Sequence, residues 1–255
     1  MVDGRGAQYI NDPNDWMIRQ GTLKITTVLD GGSTYSCTGV QISRTQILTA
    51  GHCLTQEQLA AIPRGNMTVA AIDYDVPGRI RRLTVNAGYS EYSKKGDIAI
   101  LQVAGVLPSK IFIPLIDGSC DPGTEYLGAG FGITEANVGS DEVRLADLQG
   151  APREVSDSIN NYEHYSPKRL VLEAKSGRPC NGDSGGPVFC RKRGHLAVTG
   201  IYVSRSFVRA PSASQPRGDL CRQNGLFVVT SVMATMDSIL KWQKSLIFGV
   251  AHPAK

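Results

Sequence analysis

Long apolar runs are missing from this sequence, and none approaches the roughly 18 residues that a membrane-spanning helix needs. The first residues, Met1–Arg5, lack the apolar segment of a signal peptide, so we expect a processed protein or a truncated one with an added Met. Clustered charge is also missing, because the net charge of +4 arises from scattered Lys and Arg. We therefore expect no membrane span and no nucleic-acid partner.

The cysteines form neither the C-x-x-C pairs of zinc sites nor a redox C-x-x-C motif. An even number of widely spaced cysteines instead predicts disulfides, and disulfides predict an oxidising compartment, so we expect a secreted or periplasmic protein. Asp73 and Asp75 are too few carboxylates for a six-oxygen calcium site, and we expect no metal. The six cysteines are Cys37, Cys53, Cys120, Cys180, Cys190 and Cys221.

Short β-type runs recur along the 255 residues and are separated by Gly, Pro, Asn and Asp, which favours an all-β barrel or sandwich. Gln56–Ala61 is predicted to form a short helical turn and Met236–Phe248 a terminal helix. Asp141–Asn161 is polar and poorly periodic, Ser206–Cys221 is predicted to be a long loop, and the basic run Arg191–Arg193 is expected at a hairpin tip. The predicted strands are 23–29, 39–48, 67–72, 80–85, 98–103, 125–130, 169–173, 187–189, 196–203 and 226–232.

The segment Cys180–Val188, with the sequence CNGDSGGPV, places a serine among glycines that leave room for a substrate. Acyl transfer needs a hydroxyl that attacks a carbonyl and nearby N–H groups that stabilise the resulting oxyanion. Ser184 would be the nucleophile, and the amides of Gly182 and Ser184 would be the oxyanion donors. A glycine-rich turn with an incidental serine is the alternative for this segment taken alone.

Two further segments supply the groups that such a serine needs. His52 lies in Thr49–Cys53 at the end of a predicted strand, and histidine is a natural proton shuttle for a serine hydroxyl. Asp97 is a single carboxylate at the start of an apolar strand, where accepting a hydrogen bond from the imidazole would orient His52. The alternative for Asp97 is a residue that caps a turn. The other histidines, 164, 195 and 252, have no comparable surroundings, and we expect structural roles for them.

The three segments TAGHC, GDIAIL and GDSGGPV occur in the order His, Asp, Ser. They resemble the three signature regions of chymotrypsin-like (trypsin-like) serine proteases, and their order differs from that of subtilisins and α/β-hydrolases. The resemblance covers the chain from about Ser36 to the terminal helix. It identifies His52, Asp97 and Ser184 as the catalytic triad of such an enzyme.

The resemblance implies an all-β fold of two six-stranded antiparallel β-barrels with the triad in the cleft between them, followed by a C-terminal α-helix. We expect residues 1–122 to form the N-terminal barrel half with His52 and Asp97, and residues 123–255 to form the C-terminal half with Ser184. The implied activity is that of a serine endopeptidase that works through an acyl-enzyme and needs no cofactor. We expect a monomer that acts on a polypeptide substrate.

Family resemblance also suggests how the cysteines pair. One implied disulfide braces the His52 loop, one ties the nucleophile loop to the pocket wall, and the third is what remains. In the third pair, Cys120 stands several residues before the position expected for the family, which Tyr126 occupies. The implied pairs are Cys37 with Cys53, Cys180 with Cys221, and Cys120 with Cys190.

Asp183 marks a departure from the family. Trypsin-like enzymes usually pair the aspartate before the serine with the α-amine of an Ile-Val-Gly-Gly start that cleavage releases, and no such tetrad precedes His52. A buried carboxylate without a cation is costly, so Asp183 needs another activation partner, or the chain is an inactive form. The first residues, Val2–Arg5, also resemble the start of bacterial glutamyl endopeptidases, which suggests that branch.

The specificity pocket is a second departure. Arg178 stands six residues before Ser184, at the pocket base where trypsins carry an aspartate. Cleavage after Lys or Arg is therefore disfavoured, and a cation there would attract an acidic P1 side chain. Against this, Val203 stands where glutamyl enzymes use a histidine, and Arg178 could instead turn toward solvent. The remaining pocket residues are Pro179, Ser204, Arg205 in place of the expected tryptophan, Ser206 and Gly225.

Two alternatives to an active protease stay open at this stage. One is a zymogen that awaits cleavage, and the other is a protease-like binding protein with an idle site. The missing activation tetrad motivates both, whereas the intact triad argues against the binding protein.

Overall fold

The computed structural model describes residues 1, 4–6, 13–72, 79–93, 96–109, 112–116, 120–134, 136, 138–151, 156, 169–207, 221 and 225–248. The strands are β1 (Arg5–Gly6), β2 (Thr22–Val28), β3 (Thr34–Gln41), β4 (Gln46–Thr49), β5 (Met67–Ile72), β6 (Ile80–Ser93), β7 (Gly96–Val103), β8 (Tyr126–Gly130), β9 (Arg144–Gly150), β10 (Arg169–Ser176), β11 (Pro187–Lys192), β12 (His195–Phe207) and β13 (Gly225–Ser231). The helices are α1 (Pro13–Gly21), α2 (Gln56–Ala61) and α3 (Met236–Phe248). None of the helices in these ranges is long and apolar enough to cross a membrane.

Two closed antiparallel barrels make up the fold. The first has the strand order β2-β3-β4-β7-β6-β5. The second has the order β9-β10-β13-β12-β11-β8 and is closed by the pairing of β8 with β9. The prediction of two six-stranded barrels with a C-terminal helix is confirmed.

Each barrel has its own apolar core, and a third core lies where the barrels meet. In the first barrel, side chains such as Leu23, Val69 and Leu101 are fully buried together. The shared core includes Leu48 and Ile98 from the first barrel and Phe189 from the second. Burial of apolar surface is the main stabilising term in folding, so this shared core holds the two barrels, and the cleft between them, together.

Both ends of the chain cross to the opposite barrel. Strand β1 lies at the start of the chain but pairs with β9 of the second barrel. Helix α3 follows the second barrel, yet its Ser238 hydroxyl donates to the Glu91 carboxylate of the first barrel at 3.3 Å. Ile239 of α3 is fully buried in the shared core. The terminal segments therefore add contacts between the barrels.

The structure differs from the sequence predictions in several elements. The predicted run 39–48 is two strands, because Ser43–Thr45 forms a turn in which the Ser43 hydroxyl accepts from the Gln46 backbone at 3.1 Å. Strand β9 lies inside the segment predicted to be polar and poorly periodic, although Leu145, Ala146 and Leu148 are buried in it. Helix α1 was not predicted, although Pro13 at its first position and Asp15 in its first turn are typical helix-start residues.

The basic run Arg191–Arg193 lies at the tip of the β11–β12 hairpin, as predicted, with Lys192 opposite His195. Arg193 has a left-handed backbone with φ of 51°, and it and Gly194 donate backbone hydrogen bonds to the Asp121 carboxylate at 2.8 and 3.0 Å. A carboxylate that accepts two such bonds stabilises an otherwise unfavourable turn. Of the loop predicted at Ser206–Cys221, Ser206 and Phe207 belong to β12, and 208–220 lie outside the described residues.

Candidate active site

His52 lies on a 3₁₀ turn, Gly51–Leu54, that follows β4. Gly51 is required there, because a Cβ atom at this position would lie 2.2 Å from the Glu91 carbonyl oxygen. The Cys37–Cys53 disulfide fastens the turn to β3. The two sulfur atoms lie within 4.8 Å of a ring nitrogen of His52, but because they are bonded to each other they are not thiolate ligands for a metal.

Asp97 binds His52 through both of its carboxylate oxygens. Oδ1 accepts from the His52 backbone N–H at 2.8 Å, and Oδ2 lies 2.8 Å from the ring Nδ1. Asp97 is 5% exposed, and the His52 side chain is 25% exposed. An ionised carboxylate only accepts hydrogen bonds, so it holds the proton on Nδ1 and leaves Nε2 able to accept another.

The nucleophile loop is built from tight turns that need glycine. Gly182 and Gly185 have φ of +90° and +81°, a region that favours glycine. A Cβ atom on Gly185 would lie 2.0 Å from the Thr49 hydroxyl oxygen. The carbonyl of Ser184 accepts from the backbone N–H of Thr38 at 2.8 Å, which connects the loop to the first barrel.

His52 and Ser184 line one open cleft of about 1240 Å³ between the barrels. Residues of β2 and β3 also line the cleft, as do Phe131, Ile133 and Gly139. Tyr92 lines it as well, with its ring centroid 6.1 Å from that of His52. The structure thus brings the predicted nucleophile and base to the same cleft, with Asp97 behind the base.

The backbone around Gly182 is held in one orientation. The Asn181 carbonyl accepts from the Ile133 N–H at 2.9 Å. Since the described chain has no cis peptide, the Gly182 N–H points opposite to that carbonyl, away from Ile133. Gly182 and Ser184 both line the cleft. In this orientation the Gly182 N–H is not directed at Ile133 and can donate a hydrogen bond to an oxyanion.

Asp183 lies beneath this loop and is 1% exposed. The α-amino nitrogen of Met1 lies 2.9 Å from its Oδ2 and donates to the Ile133 carbonyl at 2.8 Å. Backbone N–H groups of Gly132 and Cys180 donate to the same carboxylate, each at 2.8 Å. Asp183 therefore has the cation that the sequence alone did not reveal, although the residue that carries it is Met.

The predicted pocket residues lie on three segments. Arg178 is half-buried and Pro179 buried just before the nucleophile loop, Ser204 and Ser206 lie on β12, and Gly225 opens β13 opposite Phe207. Strand β12 has a bulge between Tyr202 and Ser204, so Val203 interrupts the ladder. Residues 208–220 and 222–224 lie outside the described residues.

Arg205 is the least expected of these residues. Its guanidinium lies 5.4 Å from the ring centroid of Phe227, a cation–π contact. Burial lowers the pKa of Arg205; Tyr202 raises it, and the charge of Arg178 lowers it. Burial, together with the charge of Asp183, raises the pKa of Tyr202, while Arg205 opposes the shift. The positive charges of Arg178, at the predicted pocket base, and Arg205, in the predicted pocket wall, therefore oppose each other.

The remaining disulfides join the pairs that the resemblance implies. Cys180 and Cys221 connect the nucleophile loop to the segment before β13. Cys120 and Cys190 connect the link between the barrels to β11, with Tyr126 packed beside them. His164, His252, Asp73 and Asp75 lie outside the described residues, and His195 is exposed at the start of β12.

Sequence reasoning missed three functional contacts. No sequence pattern identifies Met1 as the partner of Asp183, because its position there depends on the pairing of β1 with β9. Tyr92 beside His52 had no recognisable motif. Thr38, whose hydroxyl donates to the Gly182 carbonyl at 2.8 Å, follows Cys37 directly, but only the contact between the barrels shows its role.

Two closed barrels with a histidine, a carboxylate and a serine at their shared cleft define the class of chymotrypsin-like proteins. The trypsin family model matches residues 15–214 of the chain. Human granzyme M is 30% identical over 190 residues, which cover 69% of this chain and 72% of granzyme M. The chain belongs to the trypsin family of chymotrypsin-like serine proteases. These comparisons do not support the bacterial glutamyl endopeptidase branch, which rested on four residues of the N-terminus.

Proposed function

We propose that the protein is a serine endopeptidase in which Ser184 attacks the peptide carbonyl. The observation that carries this proposal is the double hydrogen bond of Asp97 to His52 in the cleft that Ser184 also lines. With the Nδ1 proton held by Asp97, Nε2 accepts the proton of the Ser184 hydroxyl as the hydroxyl attacks. The imidazolium that forms is stabilised by the neighbouring carboxylate.

Backbone N–H donors stabilise the negative charge that develops on the carbonyl oxygen. The N–H groups of Gly182 and Ser184 are the proposed pair, since preorganised donors stabilise an oxyanion at no reorganisation cost. His52 then gives its proton to the leaving amine, and an acyl-enzyme remains on Ser184. Water, activated by the same histidine, hydrolyses this ester and returns the enzyme to its starting state.

The trypsin-family match and the hydrogen bonds of His52 to Asp97 favour an active protease over an idle binding protein. Asp183 lies beneath the nucleophile loop. Its carboxylate is paired with the Met1 amine and accepts two backbone hydrogen bonds, so the loop that carries Ser184 rests on a neutralised, fully bonded group. The three disulfides favour an oxidising location outside the cytoplasm, and we propose a monomer as the working form.

A preference for acidic P1 residues follows from the charges at the pocket base. Arg178 and Arg205 already place two mutually repelling charges at the predicted pocket, and a basic P1 side chain would add a third. An acidic side chain would relieve that repulsion by pairing with a guanidinium. A peptide library should therefore show cleavage after Glu or Asp and none after Lys or Arg. Predominant cleavage after basic residues would contradict this preference while leaving the endopeptidase assignment intact.

Reaction with a fluorophosphonate probe tests the nucleophile directly. Intact mass should show one label on the wild-type protein, located at Ser184 by peptide mapping, and none on Ser184→Ala. Ser36→Ala is the matched control, because Ser36 is an exposed serine that lines the same cleft and should be irrelevant to labelling. Labelling of Ser184→Ala, or none of the wild type, would overturn the proposal.

A further inference from the structure

Thr38 carries a buried hydroxyl group that lies between the two barrels. The residue is 0% exposed and belongs to β3 of the first barrel. Its Oγ1 donates to the Gly182 carbonyl at 2.8 Å and accepts from the Phe131 N–H at 3.1 Å. Both partners belong to the second-barrel half. The hydroxyl therefore donates its single proton to the nucleophile loop and accepts a hydrogen bond from the segment after β8.

The Gly182–Asp183 peptide is held at both of its polar ends. Its carbonyl accepts from Thr38, and its N–H donates to the Cys180 carbonyl at 3.0 Å. The preceding peptide is held through the Asn181 carbonyl by Ile133. Gly182 is the joint between these two peptide planes, and glycine is the residue with the widest choice of backbone conformations.

We propose that Thr38 is a positioning residue for the oxyanion-binding amide of Gly182. The inference rests on the proposed function, because it concerns the group that would stabilise the oxyanion of Ser184 chemistry. When the Gly182 carbonyl is anchored, Gly182 keeps its φ of +90°. Its N–H group then keeps the orientation that is fixed by the hydrogen bond of the Asn181 carbonyl to Ile133. Without the anchor, Gly182 can rotate and the amide is preorganised for only part of the time.

The selective variant is Thr38→Val, which keeps the shape of the side chain and removes the hydroxyl. The second variant is Thr38→Ser, which keeps the hydroxyl and removes a methyl group. Thr235→Val is the matched control, since Thr235 is also buried and its hydroxyl donates to backbone carbonyls, including that of Ser231 at 2.9 Å, far from the nucleophile loop in sequence. The measured quantities are the rate of Ser184 labelling, kcat and KM for a peptide ester, and Tm.

We expect Thr38→Val to lower the labelling rate and kcat by about 10- to 100-fold with little change in KM, since loss of a complete oxyanion donor lowers kcat by about 10²- to 10³-fold. Thr38→Ser should retain both rates within about threefold, and Thr235→Val should lower Tm without lowering kcat. This pattern separates positioning from stability, because loss of a purely structural hydroxyl would lower Tm and leave kcat and the labelling rate unchanged, as expected for Thr235→Val.

Three results would overturn the inference. Folded Thr38→Val that labels at the wild-type rate would overturn it and leave the proposed function standing. Thr38→Ser that is as slow as Thr38→Val would show that the hydroxyl is not the cause, and this variant also decides the matter if Thr38→Val does not fold. Wild-type protein that does not react at Ser184 would overturn both the inference and the proposed function.

Discussion

The α-amino nitrogen of Met1 lies 2.9 Å from Oδ2 of Asp183, and both residues are only 1% exposed. Removing one partner of a buried ion pair leaves the other charge uncompensated. We expect Asp183→Asn to lower the free energy of unfolding by about 3–5 kcal/mol and to slow labelling of Ser184 at least about 100-fold. Urea denaturation and the labelling rate measure the two effects.

Asp141→Asn is the control for that variant. Asp141 pairs with Lys24 at 3.1 Å, but its side chain is 91% exposed. Exposed ion pairs contribute little, so the free energy of unfolding should change by less than about 1 kcal/mol. Equal effects of the two substitutions would show that burial of the Asp183 pair has no special importance.

Asp97→Asn should act on the protonation of His52. The amide oxygen can still accept from the His52 backbone, but the amide NH₂ then faces Nδ1 and places the imidazole proton on Nε2. Nε2 can then no longer accept the proton of Ser184, and we expect kcat to fall by about 10⁴-fold. Steady-state kinetics with a peptide substrate measures the change, and a kcat within tenfold of the wild type would contradict the role of Asp97.

Gly185→Ala tests the close packing of the nucleophile loop against the first barrel. The new methyl group would lie 2.0 Å from the Thr49 hydroxyl oxygen at a φ of +81°. Gly31→Ala is the matched control, because Gly31 also has a positive φ, of +91°, but nothing lies within 4 Å of its Cβ position. We expect a loss of stability of about 1–2 kcal/mol for Gly31→Ala and a larger loss for Gly185→Ala. Similar Tm values for the two variants would refute steric crowding at Gly185.

Asp121 is expected to make stability depend on pH on the acid side. Backbone hydrogen bonds from Gly194 and Arg193 lower its pKa below the ordinary value of 3.8. A carboxyl whose pKa is lower in the folded state contributes stability that is fully present above 3.8 and is lost as the pH falls through the folded pKa. Asp121→Asn should therefore lower Tm at pH 7, and its difference from the wild type should shrink as the pH falls below 3.8. A difference that is constant over the whole range would show that ionisation of Asp121 is not involved.

The strand segments and the triad segments were predictable from local sequence because both depend on neighbouring residues, whereas the arrangement of two barrels was implied by the family resemblance. The strands around Val69 and Leu101 show continuous apolar character, and the glycines around Ser184 mark turns that other residues adopt poorly. His52 and Asp97 each lie in a short segment with its own pattern. Such features were predictable without knowledge of the whole fold.

Features that depend on contacts between distant segments were not predictable. Strand β9 is short and mixes the apolar Leu145, Ala146 and Leu148 with polar residues, so its burial becomes evident only when the barrel closes. Met1 reaches Asp183 only after β1 has paired with β9. Thr38 and Gly182 are separated by 144 positions in the sequence, so no local pattern predicts their hydrogen bond.

All six cysteines form disulfides, and each disulfide lies within one barrel or joins the link between the barrels to the second barrel. Cys37–Cys53 lies within the first barrel, and Cys180–Cys221 and Cys120–Cys190 are attached to the second. Apart from the polypeptide itself, the base and the nucleophile are thus kept in register without covalent help. The shared apolar core and hydrogen bonds such as that from the Thr38 N–H to the Ser184 carbonyl therefore set the position of His52 relative to Ser184.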